Sequence, residues 1–304
     1  MAATLRTYLE LVRFSHTIFA LPFAIMAVLI ALASAADSAG GAAGPRGWLQ
    51  PLVGILVCMV TARTAAMAFN RLVDRAIDAA NPRTASRHLP RGAVGVAEVL
   101  GLIVASCVAF IAATLLFLPN WLPVALSVPV LAWLLGYSYA KRFTMLAHVW
   151  LGVALGLAPV AAWIALRGQQ LLRDPADVLP AAILGLAVAV WVAGFDTIYA
   201  CQDAQFDAAH GLQSIPARLG VPRALALAAW LHGLTLLLLA LLPLFVPQLG
   251  TIYWLALSAI TALLIWEHSI VRPDDLSRVN EAFFNANAVI GVVLLAAIAA
   301  DLWW

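Results

Sequence analysis

Residues 70 to 90 read NRLVDRAIDAANPRTASRHLP, where an apolar run gives way to a stretch rich in acids and arginines. Asn70, Asp74 and Asp78 recur every four residues. On a helix, side chains four apart stand one above the other, so these three oxygen-bearing groups share one face. A second stretch, residues 196 to 207 or DTIYACQDAQFD, repeats the rhythm with Asp196, Tyr199, Asp203 and Asp207. Asp203 and Asp207 follow Asp74 and Asp78 by the same 129 positions. Two ladders at one offset in so apolar a chain point to paired chemistry, where a lone DxxxD would read as a solvated helix face.

The surroundings of the ladders give the fold class. Of 304 residues, 64% are hydrophobic and 11% charged, against roughly 25% charged in soluble domains. The mean hydropathy is +0.97. Apolar runs of about 20 residues recur, the length that crosses a hydrocarbon core about 30 Å thick. The expected architecture is all-α and polytopic. It has nine transmembrane helices around a central cavity opening at the cytosolic side, with residues 1–304 forming a single membrane domain. The expected spans are residues 14–35, 48–69, 96–118, 121–139, 145–166, 178–200, 222–246, 251–270 and 283–302. Leu118-Pro119-Asn120 and residues 247–250 read as tight helical hairpins. Ala33-Ser34-Ala35 is similar to a signal-peptidase site, but the run is long for a signal segment and contains Pro22. It reads as a retained first span.

Charge placement sets the expected orientation. With the N-terminus inside, thirteen of the 17 Lys and Arg residues fall on cytosolic segments. Only Arg46, Arg167 and Arg173 fall outside, and Arg63 lies within a span. Loops near span ends carry this excess on the cytoplasmic side. The expectation is a multi-pass protein of the cell inner membrane, with the N-terminus and both acid ladders cytosolic. The lipid bilayer is its surroundings, and no nucleic-acid partner is expected. The three cysteines have no partner spacing, and the six histidines form no HExxH-like pattern, so neither disulfide nor zinc site is suggested. His148, His232 and His268 read as span-end or packing residues. Residues 267–278 read as a charged, solvated cytosolic loop, and Trp303-Trp304 as an interfacial aromatic pair.

Clustered carboxylates at a membrane face repel one another unless cations neutralise them. Magnesium prefers oxygen ligands and is commonly held by one or two carboxylates together with substrate phosphates. Acid ladders with Arg and Lys nearby therefore suggest a metal-bridged diphosphate whose remaining oxygens are taken by cationic side chains. Its lipid tail would lie among the helices.

Three motifs resemble those of the UbiA-type intramembrane aromatic prenyltransferases, over essentially the whole chain. Asn70, Asp74 and Asp78, followed by Arg83-Thr84, Arg87 and Leu89-Pro90, resemble the family's first signature. Asp196, Tyr199, Asp203 and Asp207, followed by Gly211 and Ser214-Ile215-Pro216, resemble its second. Residues 137 to 144, YSYAKRFT, resemble its tyrosine–lysine loop. The resemblance implies Mg2+-dependent transfer of a polyprenyl group from polyprenyl diphosphate to an aromatic acceptor. Metal would be held by Asn70, Asp74 and Asp78 on one side and by Asp203 and Asp207 on the other. Asp196 would act either as a ligand or through hydrogen bonds behind the ligands. Lys141, Arg142 and Arg83, and less directly Arg87, are the implied diphosphate contacts. Tyr137, Tyr139 and Tyr199 would either stabilise an allylic cation through their π faces or anchor the interface. Asp74, Asp203, Lys141 and Arg63 are the expected catalytic residues.

Arg63 lies seven residues before Asn70, two turns deeper on the same face, and a buried arginine needs an anionic partner. Such an arginine resembles that of family members whose acceptor carries a carboxylate. The other reading is an ion pair with a protein carboxylate. Arg13 and His16 are candidates for the same cavity. The wording of residues 63–70, RTAAMAFN, and of the 267–278 segment resembles a bacterial subgroup of menaquinone synthesis through futalosine. The implied acceptor there is 1,4-dihydroxy-6-naphthoate, whereas 4-hydroxybenzoate serves ubiquinone biosynthesis. Both are hydroxylated aromatic carboxylates, so Arg63 does not separate them. Two alternatives stand beside this reading: a prenyltransferase with a non-carboxylate acceptor, which would not need Arg63, and a membrane transporter built from internal repeats.

Overall fold

The structure, a computed structural model, describes residues 5–12, 20–39, 46–281 and 287–303. In chain order its helices are α1 Leu5–Leu11, α2 Leu21–Ala39, α3 Arg46–Val73, α4 Arg75–Ala80, α5 Val96–Thr114 and α6 Leu122–Ala140. There follow α7 Ala147–Leu171, α8 Leu179–Ala200, α9 Ala204–Ala209, α10 Ile215–Leu219 and α11 Val221–Leu241. The last three are α12 Thr251–Ile270, α13 Val279–Glu281 and α14 Asn287–Trp303. Among the described residues there is no β-strand, only an isolated bridge between Arg272 and Asp275.

The protein is an all-α membrane protein. Seven of the described helices are long and apolar enough to cross a bilayer, and two shorter apolar ones, Leu21–Ser34 and Asn287–Trp303, stand where the first and ninth spans are expected. Expected residues 14–19 and 283–286 of those two spans lie outside the described residues, as do Arg13, His16 and Trp304. The α2 backbone runs on through Ala33-Ser34-Ala35.

Two compact units form. The first comprises residues 1–17 and 43–139. Its α3 packs along α5, and α1 touches α3. Leu11, Ala68, Leu89, Val94, Val99 and Ile103 make a buried cluster, against which Phe69 and Leu72 pack. Leu89 thus ties the loop after the first ladder into this unit's core.

The second unit comprises residues 18–42 and 140–304. Its axis is α8, whose Leu184, Val188, Trp191, Val192 and Phe195 are buried among residues of α2, α7, α11, α12 and α14. Lipid tails are as apolar as leucine, so helices in a bilayer associate through close packing, which small residues allow. The α7–α8 contact is built this way. A Cβ on Gly152 would collide with the Ala189 carbonyl, and one on Gly156 with the Gly185 carbonyl.

One expectation for this unit is corrected. Glu267 is not in a solvated loop but completely buried on α12, and Nε2 of His268 beside it meets Nδ1 of His232 on α11 at 2.9 Å. The charged loop begins only after Val271. Burial follows from the helix continuing through Ile270, which turns Glu267 towards the same face as Leu264 and Ile260.

Candidate active site

The first ladder does not run on one continuous helix. Helix α3 ends at Val73, Asp74 takes φ −89° and ψ 3°, and α4 starts at Arg75. Those angles belong to the sparsely populated bridge region, where many active-site residues sit. Asp74 occupies the N-cap position of α4, yet its side chain caps nothing. An aspartate there ordinarily accepts a hydrogen bond from the helix N-terminus. Instead its Oδ2 accepts from Asn70 Nδ2 at 3.2 Å, so Asn70 is oriented by the residue one turn on.

Asp78 is 4% exposed and ringed by cations from its own stretch. Arg87 Nη1 meets its Oδ1 at 2.7 Å, and Arg71 Nη1 lies 3.9 Å from its Oδ2. The RTxxR spacing explains how Arg87 returns. The Thr84 hydroxyl donates to the Asp78 carbonyl at 3.0 Å and the chain winds back in successive turns, Thr84 N to Asn81 O and Arg87 N to Thr84 O. Arg83, between them, is exposed. Asp78 Oδ2 is buried and accepts no hydrogen bond.

The second ladder breaks in the same place. Helix α8 gives way to a 3-10 turn, Cys201–Asp203, and Asp203 takes φ −101° and ψ 4° as the N-cap of α9, again without a capping bond from its side chain. Helices α4 and α9 are both six residues long. The 129-residue offset is therefore a repeat of backbone geometry as well as of letters, and it pairs Asn70 with Tyr199. Asp207 is half-buried, with the Ser214 hydroxyl beside it and Lys141, His148 and Asp203 near enough to act on it electrostatically. Ser214 also caps α10, accepting from Ala217 N at 3.4 Å. The Lys141 carbonyl accepts from Gln213 N at 2.7 Å, which ties the tyrosine–lysine loop to this motif. Asp196, one side chain back on α8, meets His148 Nδ1 at 2.7 Å.

The remaining expected residues fall as follows. Arg63 is half-buried on α3, with Tyr137 of α6 near enough to act on it electrostatically. Tyr139 is 44% exposed and rests edge-on against Phe69, centroids 5.9 Å apart. Tyr199 is half-buried between two apolar clusters of the second unit, and Arg142 is half-buried too. The sequence reading gave His148 and Thr84 no partner and missed the pairing of Arg71 and Arg87 with Asp78. A polar side chain at membrane depth was the available signal for His148.

The ladders suit a hard cation. All their donors are oxygens, and one buried carboxylate oxygen of Asp78 accepts no hydrogen bond. Among the described residues no three His, Cys, Asp or Glu side chains gather tightly enough to enclose a metal unaided. That is compatible with magnesium, which completes its shell with water and substrate phosphates.

The UbiA prenyltransferase family model matches residues 20–289. The chain belongs to the UbiA prenyltransferase family. Among curated UbiA relatives, a 4-hydroxybenzoate octaprenyltransferase of Chromohalobacter salexigens is 32% identical over 79% of this chain and 77% of its own. A Xanthomonas oryzae pv. oryzae protein of the same name is 33% identical, over 78% and 75%. A solved apo UbiA homolog from Aeropyrum pernix K1 superposes with TM-score 0.79 and 34% identity, over 94% of this chain and 98% of that one. An Archaeoglobus fulgidus UbiA homolog, described as bound to GPP and Mg2+, shares the fold at TM-score 0.65 and 20% identity, over 97% and 99%. This UbiA member is a prenyltransferase and an integral membrane protein.

Proposed function

We propose that this enzyme transfers a polyprenyl group from polyprenyl diphosphate to a hydroxylated aromatic carboxylate, with magnesium as cofactor, in quinone biosynthesis. One observation carries the reading: Asp74 and Asp203 both sit at helix breaks, in capping positions, without capping. Neither carboxylate is spent on capping the helix it precedes. The relatives named 4-hydroxybenzoate octaprenyltransferase support an aromatic carboxylate as acceptor.

In this reading Asn70, Asp74 and Asp78 would hold magnesium at the first ladder, and Asp203 and Asp207 at the second, for binding the diphosphate. The metal supplies Lewis-acid stabilisation of the leaving group. Lys141, Arg142 and exposed Arg83 take the remaining phosphate oxygens through charge-assisted hydrogen bonds. Arg87 acts one step back, through its ion pair with Asp78. Arg63 binds the acceptor carboxylate as a bidentate fork and presents the electron-rich ring to the allylic cation. Tyr137 and Tyr199, both half-buried, are the candidates to stabilise that cation through their π faces, while exposed Tyr139 suits an interfacial anchor. The whole chain acts as one catalytic domain of the inner membrane, with both ladders at the cytosolic face.

The test is product formation by the purified protein with a polyprenyl diphosphate, magnesium and either 4-hydroxybenzoate or 1,4-dihydroxy-6-naphthoate, read by mass spectrometry. The expected result is prenylated product with one acceptor, abolished by EDTA, and a KM for that acceptor raised about 100-fold in Arg63→Ala, as lost charged bonds cost. Folded protein that prenylates neither acceptor overturns the aromatic-carboxylate assignment. The acceptor that works places the enzyme in ubiquinone or in menaquinone synthesis.

A further inference from the structure

His148 was expected to be a span-end or packing residue, but each of its ring nitrogens is committed to a different part of the second ladder's scaffold. It lies in the first turn of α7, with its side chain 7% exposed. Nδ1 stands 2.7 Å from Asp196 Oδ2 on α8, and Nε2 accepts from Ile215 N at 3.4 Å, at the start of α10. A backbone N–H can only donate, so Nε2 is the accepting nitrogen. The proton is thereby assigned to Nδ1, which donates to Asp196. The helix whose N-terminus the ring engages is capped by Ser214, which stands beside Asp207. One imidazole therefore references both ends of the ladder, Asp196 and Asp207, to α7.

We propose that His148 is the positioning residue of the second acid ladder: its Nδ1–H occupies Asp196 Oδ2, leaving Oδ1 alone to take the divalent cation or its bound water. Partners behind a metal ligand fix its orientation, and their loss typically costs 10–100-fold in metal affinity or activity. The inference rests on the functional reading above and deepens it, because it assigns Asp196 a one-oxygen role and names the residue that enforces it. The chemistry lies in which ring position carries the donor. Asparagine at 148 places an N–H near the Nδ1 position, glutamine near the Nε2 position, and alanine supplies neither.

The experiment measures the Mg2+ concentration that gives half-maximal thermal stabilisation of the full-length protein in the presence of geranyl diphosphate. It also measures kcat and both KM values. His148→Gln and His148→Ala are expected to raise the half-saturating Mg2+ by about 10–100-fold and to lower kcat, with the acceptor KM unchanged. His148→Asn is expected to stay within about threefold of the parent, rescue that a general packing role would not produce. Combined with Asp196→Ala, His148→Ala should add less than its effect alone, since the two are directly bonded. Should the alanine variant fail to fold, the asparagine–glutamine pair still decides. Equal loss in both, or an unchanged Mg2+ response in His148→Gln, overturns the proposal while leaving the functional reading intact. Parent protein indifferent to magnesium with geranyl diphosphate overturns both.

Discussion

The two acid ladders share a backbone and differ in what holds them. In the first, the chain that supplies the acids also supplies the cations: Arg71 and Arg87 flank Asp78, and Leu89 pins the returning loop in the core. In the second, support comes from other elements: His148 of α7 for Asp196, Ser214 at the head of α10 for Asp207, and Lys141 ahead of α7. A buried carboxylate needs compensation from somewhere. The first ladder has built it in, whereas the second meets a like charge in Asp203 and a half-buried Asp207. The break at the middle aspartate is thus the repeated device, and charge compensation is a separate feature that each ladder solves with local means.

The largest expected effect tests whether the device is shared. Asp74→Ala and Asp203→Ala should each lower kcat for prenyl transfer by about 1,000-fold or more, the scale of removing a principal electrostatic stabiliser of a leaving group. Expression, detergent solubility and melting behaviour should stay near the parent, because neither side chain caps its helix. A variant at one position that keeps near-parental turnover breaks the symmetry between the ladders.

Stability should separate them next. Asp78→Asn removes the carboxylate charge that meets Arg87 at 2.7 Å and buried Arg71 at 3.9 Å, and breaking a buried pair costs about 3–5 kcal/mol. Arg87 keeps partial solvent access, so roughly 2–3 kcal/mol is the expected loss in detergent unfolding. Asp207→Asn removes the like-charge repulsion from Asp203 and keeps a polar group of the same shape beside Ser214, so the expected change is within about 0.5 kcal/mol. Equal destabilisation by the two substitutions would show that compensation is not local in the first ladder.

Packing in the second unit gives a third, smaller test. Gly156→Ala puts a methyl against the Gly185 carbonyl, where helix backbones approach too closely for any side chain. Forcing the helices apart should cost about 1–3 kcal/mol. Gly101→Ala on α5, where an added Cβ meets nothing within 4 Å, should be neutral or slightly stabilising. The contrast ties stability of the α7–α8 contact, from which His148 reaches Asp196, to small residues at named positions.

Much of this was legible in the letters. Hydropathy placed the helices because each span must bury its backbone polar groups within itself, so length and apolarity alone identify it. The four-residue rhythm and the 129-residue offset marked both ladders. The break at Asp74 and Asp203 was not legible, since a four-residue spacing reads as continuous helix and nothing in VDRA or QDAQ interrupts it. His148 was missed because hydrogen bonds between α7 and α8 join residues 48 positions apart. Glu267 was misplaced because acid and histidine together suggest water, while the helix in fact carries them into the core.

The smallest expected effects concern two hydroxyls that do matching jobs at different atoms. Thr84 donates to the main-chain carbonyl of Asp78, whereas Ser214 stands beside the side chain of Asp207 and caps α10 as well. Each substitution, Thr84→Val and Ser214→Ala, should cost about 1 kcal/mol of stability, the usual scale of a buried hydrogen bond or an N-cap. Their catalytic consequences should diverge. Valine at 84 keeps the shape of the turn and leaves every carboxylate oxygen as it was, so the Mg2+ dependence of turnover should be unchanged. Alanine at 214 frees the Asp207 carboxylate to rotate, so half-saturating Mg2+ should rise several-fold while the acceptor KM stays constant. If Thr84→Val shifts the Mg2+ dependence as much as Ser214→Ala does, the first ladder is held through its backbone turn as tightly as the second is held through its side chains. The division between built-in and borrowed support would then have to be redrawn around the turns instead of the charges.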